Sequence, residues 1–483
     1  MNFLYSFYPM LFNSVTFLYF FLPLFLLAYY CLPYRNFVLL LASLVFYAWG
    51  ELGYVALLIL SIAINYGFGL LVASPRHAVS RWALPVGVGA NLLLLANYKY
   101  RVFLLGILDP VLETLGVATG MQESQHFPIG ISFFTFQAIS YLVDVRNGKA
   151  PAERNILTLA TYIAMFPQLI AGPIVRFRTI FEELHHRNHS FEKFSRGIQF
   201  FAIGLVQKVM IADALARPVD AIYALPVHDL DAGLAWLGSI SFSFQIYFDF
   251  AGYSNMAIGL GLMLGFHLPR NFETPYASTS IREFWRRWHI TLSAWFRDYL
   301  YIPLGGNRRG SLRNYRNLVL VFLLCGLWHG ANFTFVAWGL YHGAFLVAER
   351  LGLGILLERL WKPFRHVYTL LVVNVGFVIF RTDSLGQAGD VLAALVGFGD
   401  GDGIARHASI YLRPDILLVL CLAAVGSVPA LPALGRSIGS LLPDGHAPTL
   451  RAAVTPAALL LVFLLVGMRL ASGTHNPFIY FRF

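Results

Sequence analysis

Between Leu318 and Ala348 the chain carries no charged residue, yet His329 lies inside this stretch, within Cys325-Gly-Leu-Trp-His-Gly-Ala-Asn332. An ionisable side chain at membrane depth is expensive and marks a functional site by default. A neutral imidazole in low dielectric is a competent general base. Gly330 lets a ligand or another helix come close, and Asn332 offers an amide donor two positions later. The other reading of His329 is a histidine hydrogen-bonded within a helix bundle. Cys325 precedes His329 by four residues, so on a continuous helix the two share a face. As a thiolate–imidazole pair they would form an acyl-cysteine system; a small buried core cysteine is the simpler reading. His342 lies too far along a regular helix to share the His329 face, and its Tyr341-His-Gly343 setting reads as packing.

A cationic cluster lies just upstream. Between Arg282 and Arg316 eight arginines stand against Glu283 and Asp298. Guanidinium forks match phosphate oxygens, so Arg286 and Arg287, with His289, could clamp a pyrophosphate or phosphopantetheine. The same cluster could equally serve the positive-inside rule and anionic headgroups alone. By that rule the loop is expected to be cytoplasmic. Trp285, Trp288, Trp295, Tyr299 and Tyr301 are interleaved with the charges, which predicts a segment lying at headgroup level. His289 is expected at the cytoplasmic mouth, placed for acid/base work or for phosphate contact. Asp249, Lys208 and Asp213 are further ionisable groups in apolar surroundings. Lys208 and Asp213 are five apart, which aligns them poorly on an α-helical face, so each is expected to pair with a neighbouring helix. A structural ion pair is the reading for those two; the role of Asp249 stays open.

The elements that must position these groups are apolar helices. Hydrophobic residues make up 58% of the 483 positions and charged ones 12%, and mean hydropathy is +0.64. That balance belongs to a polytopic membrane protein. Runs near the ~20-residue length of a spanning helix are predicted at 15–33, 36–50, 53–73, 83–107, 128–145, 155–174, 198–218, 233–249, 252–267, 317–347 (broken near His329), 367–381, 413–433 and 451–471. The first reads as a retained span, because Met1-Asn-Phe-Leu-Tyr5 has no basic leader and no cleavage pattern follows. Interruptions such as Phe166-Pro-Gln-Leu-Ile-Ala-Gly-Pro173 survive at membrane depth only where protein or a wet cavity surrounds the backbone. A helical shell around an internal cavity is therefore expected, as a single integral membrane domain with N-terminal helices over 1–125, a core over 126–385 and C-terminal helices over 386–483.

Several motifs read as structural. His185 and His189 have i, i+4 spacing, but no second ligand pair follows, and a solvated loop is the better reading. Gly399-Asp-Gly-Asp-Gly403 lacks the terminal glutamate of a calcium loop and reads as a turn. Cys31, Cys325 and Cys421 sit apart, with no metal spacing and no disulfide framework. No bound metal or cofactor, no nucleic-acid partner and no internal repeat is expected. Inverted repeats would have favoured a transporter of polysaccharide or lipid-linked sugar.

Four segments carry a family resemblance: Phe244-Gln-Ile-Tyr-Phe-Asp-Phe-Ala-Gly-Tyr-Ser254, Arg282-Glu-Phe-Trp-Arg-Arg-Trp-His-Ile-Thr-Leu-Ser293, Arg297-Asp-Tyr-Leu-Tyr-Ile-Pro-Leu-Gly-Gly306 and Gly326-Leu-Trp-His-Gly-Ala-Asn332. With Pro128–Gln137, Tyr141–Asp144, Phe166–Pro173 and Phe377–Arg381, the chain resembles the membrane-bound O-acyltransferase family over most of residues 1–385. The similarity is to the bacterial branch that acetylates alginate and D-alanylates teichoic acids. The resemblance implies an all-α funnel of roughly 11–13 membrane helices with short re-entrant or interfacial helices, pierced by a tunnel. It implies a membrane-depth histidine essential for acyl transfer, carried onto His329, and an accessory role for His289. Cys325 is not part of the family pattern. The expected substrate-binding residues are Asn332, Asp249, Arg282, Arg286, Arg287, Trp288 and Arg297. The expected donor is acetyl-CoA or another acyl thioester, and the acceptor an extracytoplasmic polysaccharide, reached directly or through a separate acetyl-carrying or acetyl-transferring protein. An acyl-carrier-protein donor is the alternative. Membrane lipids surround the chain, and a bacterial inner membrane is the expected location.

Overall fold

A computed structural model of the chain describes residues 10–115, 127–308, 310–399, 408–429 and 446–472. The described residues are helical and contain no strand. Among the described residues six helices are long and apolar enough to cross a membrane: Arg35–Val72, His77–Val111, Phe191–Tyr223, Phe333–Arg359, Lys362–Arg381 and Val454–Ala471. Phe17–Cys31, Leu385–Leu395 and Pro414–Gly426 are shorter apolar helices. The chain is thus a multi-pass membrane protein built of helices. The Gly399–Gly403 turn, apart from its first residue, lies outside the described residues, as does Arg309.

The contacts divide the chain into two compact units, residues 1–198 with 257–269, and residues 199–256 with 270–483. In the first unit, polar groups tie apolar helices together. The Asn65 and Asn91 amides, both buried, exchange hydrogen bonds of 3.0 and 2.8 Å between the first two long helices, as expected where lipid offers no competing partner. The interrupted run at Phe166–Pro173 is buried throughout. Its backbone is satisfied in part by Ser43, whose hydroxyl accepts from the Phe166 N–H at 3.0 Å. The Phe166 ring packs edge-on against Phe21 and Phe25.

The second unit carries every residue singled out for chemistry. Residues 232–256 of this unit belong to one continuous helix, Ala232–Met263, where the sequence predicted two spans broken near residue 250. Gly252 invited that break but has another use. A Cβ there would stand 2.8 Å from the Gly204 carbonyl oxygen, so glycine permits close helix approach and the helix runs on. The predicted break near His329 is present: helix Ser311–His329 ends on the histidine and helix Phe333–Ala348 begins four residues later. These two helices cross backbone to backbone. A Cβ on Gly339 would collide with the Phe322 carbonyl, and one on Gly326 with the Phe335 carbonyl. Gly339 and Gly343, four apart, make the small-residue face that such a crossing requires.

Candidate active site

The helix crossing sets the place of His329. Its ring, 5% exposed, stands edge-to-face against Trp328 and Trp338 at 5.0 Å and against Phe380 at 5.3 Å. Three elements supply this cage: Trp328 from the histidine's own helix, Trp338 from Phe333–Ala348, and Phe380 from Lys362–Arg381. Gly330 is needed next to it, because a Cβ would run into the Phe335 ring. Asn332 then caps the following helix. Its Oδ1 accepts from the Thr334 N–H at 3.1 Å, while its Nδ2 donates to the Asp383 carbonyl at 3.0 Å. Both ends of that amide are engaged by backbone, so in this structure Asn332 fixes the turn after His329.

His289 reaches the same tryptophan. Its ring lies 4.6 Å from Phe250 and 5.9 Å from Trp328, and the residue is fully buried. Its backbone φ is +43°, a left-handed conformation that costs a non-glycine residue on the order of 1–3 kcal/mol and persists only where neighbours enforce it. The enforcing contacts run to Asn271. The Ile290 N–H donates to the Asn271 carbonyl at 2.9 Å, the Thr291 hydroxyl to Asn271 Oδ1 at 2.9 Å, and Asn271 Nδ2 to Ser254 Oγ at 3.2 Å. His289 Nδ1 accepts from the Leu292 N–H at 3.3 Å, capping helix Ile290–Phe296. A neutral imidazole whose Nδ1 accepts carries its proton on Nε2. That Nε2 is buried and makes no hydrogen bond among the described residues. Asn271 and Ser254 were not identified by sequence reasoning as the anchors of this turn.

The remaining candidates separate into distinct surroundings. Asp249, 2% exposed, is ion-paired to Lys208 at 2.7 Å, and Lys208 also binds Asp213 at 2.6 Å. The Lys208–Asp213 bond forms within one helix because Val206–Ala212 is π-helical, and an i→i+5 register brings residues five apart together. The expectation of separate partners thus holds for Lys208 toward Asp249 but not for Asp213. Trp288, expected to bind substrate, is 3% exposed and packed among Phe272, Phe284 and Phe377. Trp285 and Trp295 are also buried. These tryptophans pack the interior of the unit, whereas the sequence placed them at headgroup level. Arg287 is held by Glu283 at 2.8 Å and Arg297 by Asp298 at 2.7 Å. Burial acts to raise the Glu283 carboxyl, but hydrogen bonds from Thr279 and the charge of Arg287 leave it below its ordinary value. Arg286 is exposed, and Arg282 lines a cleft that does not include the other three arginines.

Cys325 is buried at 4% exposure, one turn before His329. His342 is fully buried against Trp285 and Trp338, and neither ring nitrogen has a hydrogen-bond partner among the described residues. His185 and His189 do not converge. His185 pairs with Glu153 at 3.1 Å, and His189 Nδ1 faces Arg35. Burial, followed by the charges of Arg35 and Arg187, holds the His189 imidazole below its ordinary pKa. No group of metal-ligating side chains occurs among the described residues.

The described residues thus form a helical membrane protein in which a buried histidine ends one helix at the break before the next. The chain belongs to the membrane-bound O-acyltransferase (MBOAT) family, whose model matches residues 92–380, and it is an integral membrane O-acetyltransferase. It is 42% identical to a probable alginate O-acetylase of Pseudomonas putida, over 98% of this chain and all of that protein. It is 38% identical to a peptidoglycan O-acetyltransferase of Helicobacter pylori, over 84% of each chain. Similarity also extends to a teichoic acid D-alanyltransferase of Streptococcus thermophilus, 27% identical over 54% of this chain and 69% of that protein. Family membership decides for an enzyme over the transporter reading.

Proposed function

We propose that this enzyme moves an acetyl group from a cytoplasmic acyl thioester toward an extracytoplasmic polysaccharide, directly or through a partner protein, in a bacterial inner membrane. The relatives that acetylate alginate and peptidoglycan support the polysaccharide acceptor. The observation that carries the mechanism is the placement of His329 and His289 against one indole, that of Trp328.

In this reading His329 takes the proton of the acceptor hydroxyl as its oxygen attacks the thioester carbonyl. The carbonyl π electrons move onto oxygen, and His289 Nε2–H donates to that oxyanion. Collapse of the tetrahedral intermediate breaks the carbon–sulfur bond, and the departing thiolate takes the proton from the His329 imidazolium. Oxyanion stabilisation is often the largest catalytic contribution. His289 suits it better than Asn332, because its Nε2 makes no hydrogen bond among the described residues, whereas the Asn332 amide is held by the backbone at both ends. The buried aromatic walls keep water from competing for the acyl group.

The donor is tested with purified enzyme supplied with labelled acetyl-CoA or with acetylated carrier protein, alongside the polysaccharide. Acetyl-ester formation from acetyl-CoA is the expected result. Transfer from the carrier alone would move the assignment toward the D-alanyltransferase-like alternative.

A further inference from the structure

A cleft of about 270 Å³ in the second unit is lined by Arg282, Arg350 and Arg365 together with Glu349 and Glu358. Its wall is a built feature. Helix Phe333–Ala348 continues into a π-helical stretch that kinks at Gly352, where φ is +139°. Gly354 then passes so close to the Glu349 carbonyl that a Cβ would stand 2.7 Å from it. The two carboxylates do not cancel the three cations equally. Glu349 is buried, and its oxygens accept from the Ile281 and Arg282 N–H groups at 2.7 and 3.1 Å and from the Tyr368 hydroxyl at 3.3 Å. Three protein donors thus hold the Glu349 carboxylate in the wall of the cleft.

The arginines are held but incompletely used. Arg350 is positioned by Asn314 at 2.6 Å. Arg365 gives one Nη to Thr279 at 3.0 Å, while its buried Nε has no hydrogen-bond partner. The Arg282 guanidinium makes no ion pair or hydrogen bond among the described residues. A buried, unused Arg donor is costly, and convergent guanidinium forks fit the oxygens of a phosphate. The cleft also lies where the Phe333–Arg359 helix gives way to Lys362–Arg381, so it opens at the end of two apolar helices.

We propose that the Arg282–Arg350–Arg365 cleft is a binding site for a phosphate ester. The ester belongs either to the thioester donor or to a lipid headgroup. As a donor subsite it rests on the thioester reading above; as a phosphate site it does not.

The test uses full-length His329→Ala protein in phosphatidylcholine nanodiscs, so that binding is read without turnover. Inorganic pyrophosphate and coenzyme A are titrated against this background and with Arg282→Gln, Glu358→Gln or Arg413→Gln added. Arg282 is exposed and its side chain supports no other group, so its replacement spares the fold. Arg282→Gln is expected to weaken pyrophosphate about tenfold, the loss typical of one charge-assisted hydrogen bond. Glu358→Gln should tighten binding, and Arg413→Gln, far along the chain at an exposed pair with Asp415, should do nothing. Equal weakening of coenzyme A identifies the donor as the source. If instead phosphatidylglycerol nanodiscs compete with pyrophosphate and coenzyme A does not, the source is a lipid and the phosphate site stands. Unchanged pyrophosphate affinity and unchanged phosphatidylglycerol retention in Arg282→Gln would overturn the proposal.

Discussion

In the proposed mechanism His289 has a structural and a chemical role at once. Its Nδ1 accepts the N–H of Leu292 and its backbone occupies a left-handed turn, so removing the ring threatens the local helix as well as any donation from Nε2. The two roles separate by substitution. Glutamine offers an acceptor and a donor, whereas phenylalanine offers neither. His289→Phe is expected to lower turnover by about 10²–10³-fold, the cost of losing an oxyanion donor, with His289→Gln recovering part of it. Steady-state acetyl transfer on both variants checks this. Equal turnover in the phenylalanine variant and the wild type would remove His289 from the chemistry.

Among the elements, the π-helical segment Val206–Ala212 has a register that makes a specific contact. It lets Lys208 meet Asp213 in its own helix while Asp249 approaches from helix Ala232–Met263. Removing one partner from a buried charge cluster commonly costs about 3–5 kcal/mol, because the charges left behind stay desolvated. Lys208→Met is therefore expected to lower the thermal stability of the detergent-solubilised enzyme markedly. The triple variant that adds Asp213→Asn and Asp249→Asn should recover most of it. A melting curve for each variant decides; no loss in the single variant would show that Lys208 is not the shared counter-charge. The close crossing at Gly326 and Gly339 has the complementary role of setting His329 beside Trp338.

For the molecule as a whole, the sequence made plain what hydropathy and glycine spacing encode. The helical membrane class, the break after His329 and the buried interruption at Phe166–Pro173 are legible from local composition, but the spans are not: the predicted runs 36–50 and 53–73 join in Arg35–Val72, and among the described residues six helices, against the expected 11–13, are long and apolar enough to cross. What stayed hidden depends on long-range contact. Gly252 carries the same signature whether it breaks a helix or lets another approach, and only the neighbouring Gly204 carbonyl decides. Trp285 and Trp288 suit an interface or a core equally well, and the packing partners choose the core. Neither the Asn271 anchors of His289 nor the π register at Lys208 has a local pattern to read. The cytoplasmic orientation expected of the arginine-rich loop is open to direct test. A cysteine introduced at Asn307, in a chain with Cys31, Cys325 and Cys421 replaced, should react with membrane-impermeant maleimide only from the cytoplasmic side. Labelling of intact cells would reverse the orientation.

The account turns on proton transfer at His329, and one assay meets it directly. Acetyl-ester formation is measured for wild type and His329→Ala at matched levels of membrane-inserted protein. General-base removal is expected to cost at least about 10²–10⁴-fold in turnover, with insertion unchanged. Wild-type turnover in the alanine variant would contradict the mechanism at its root.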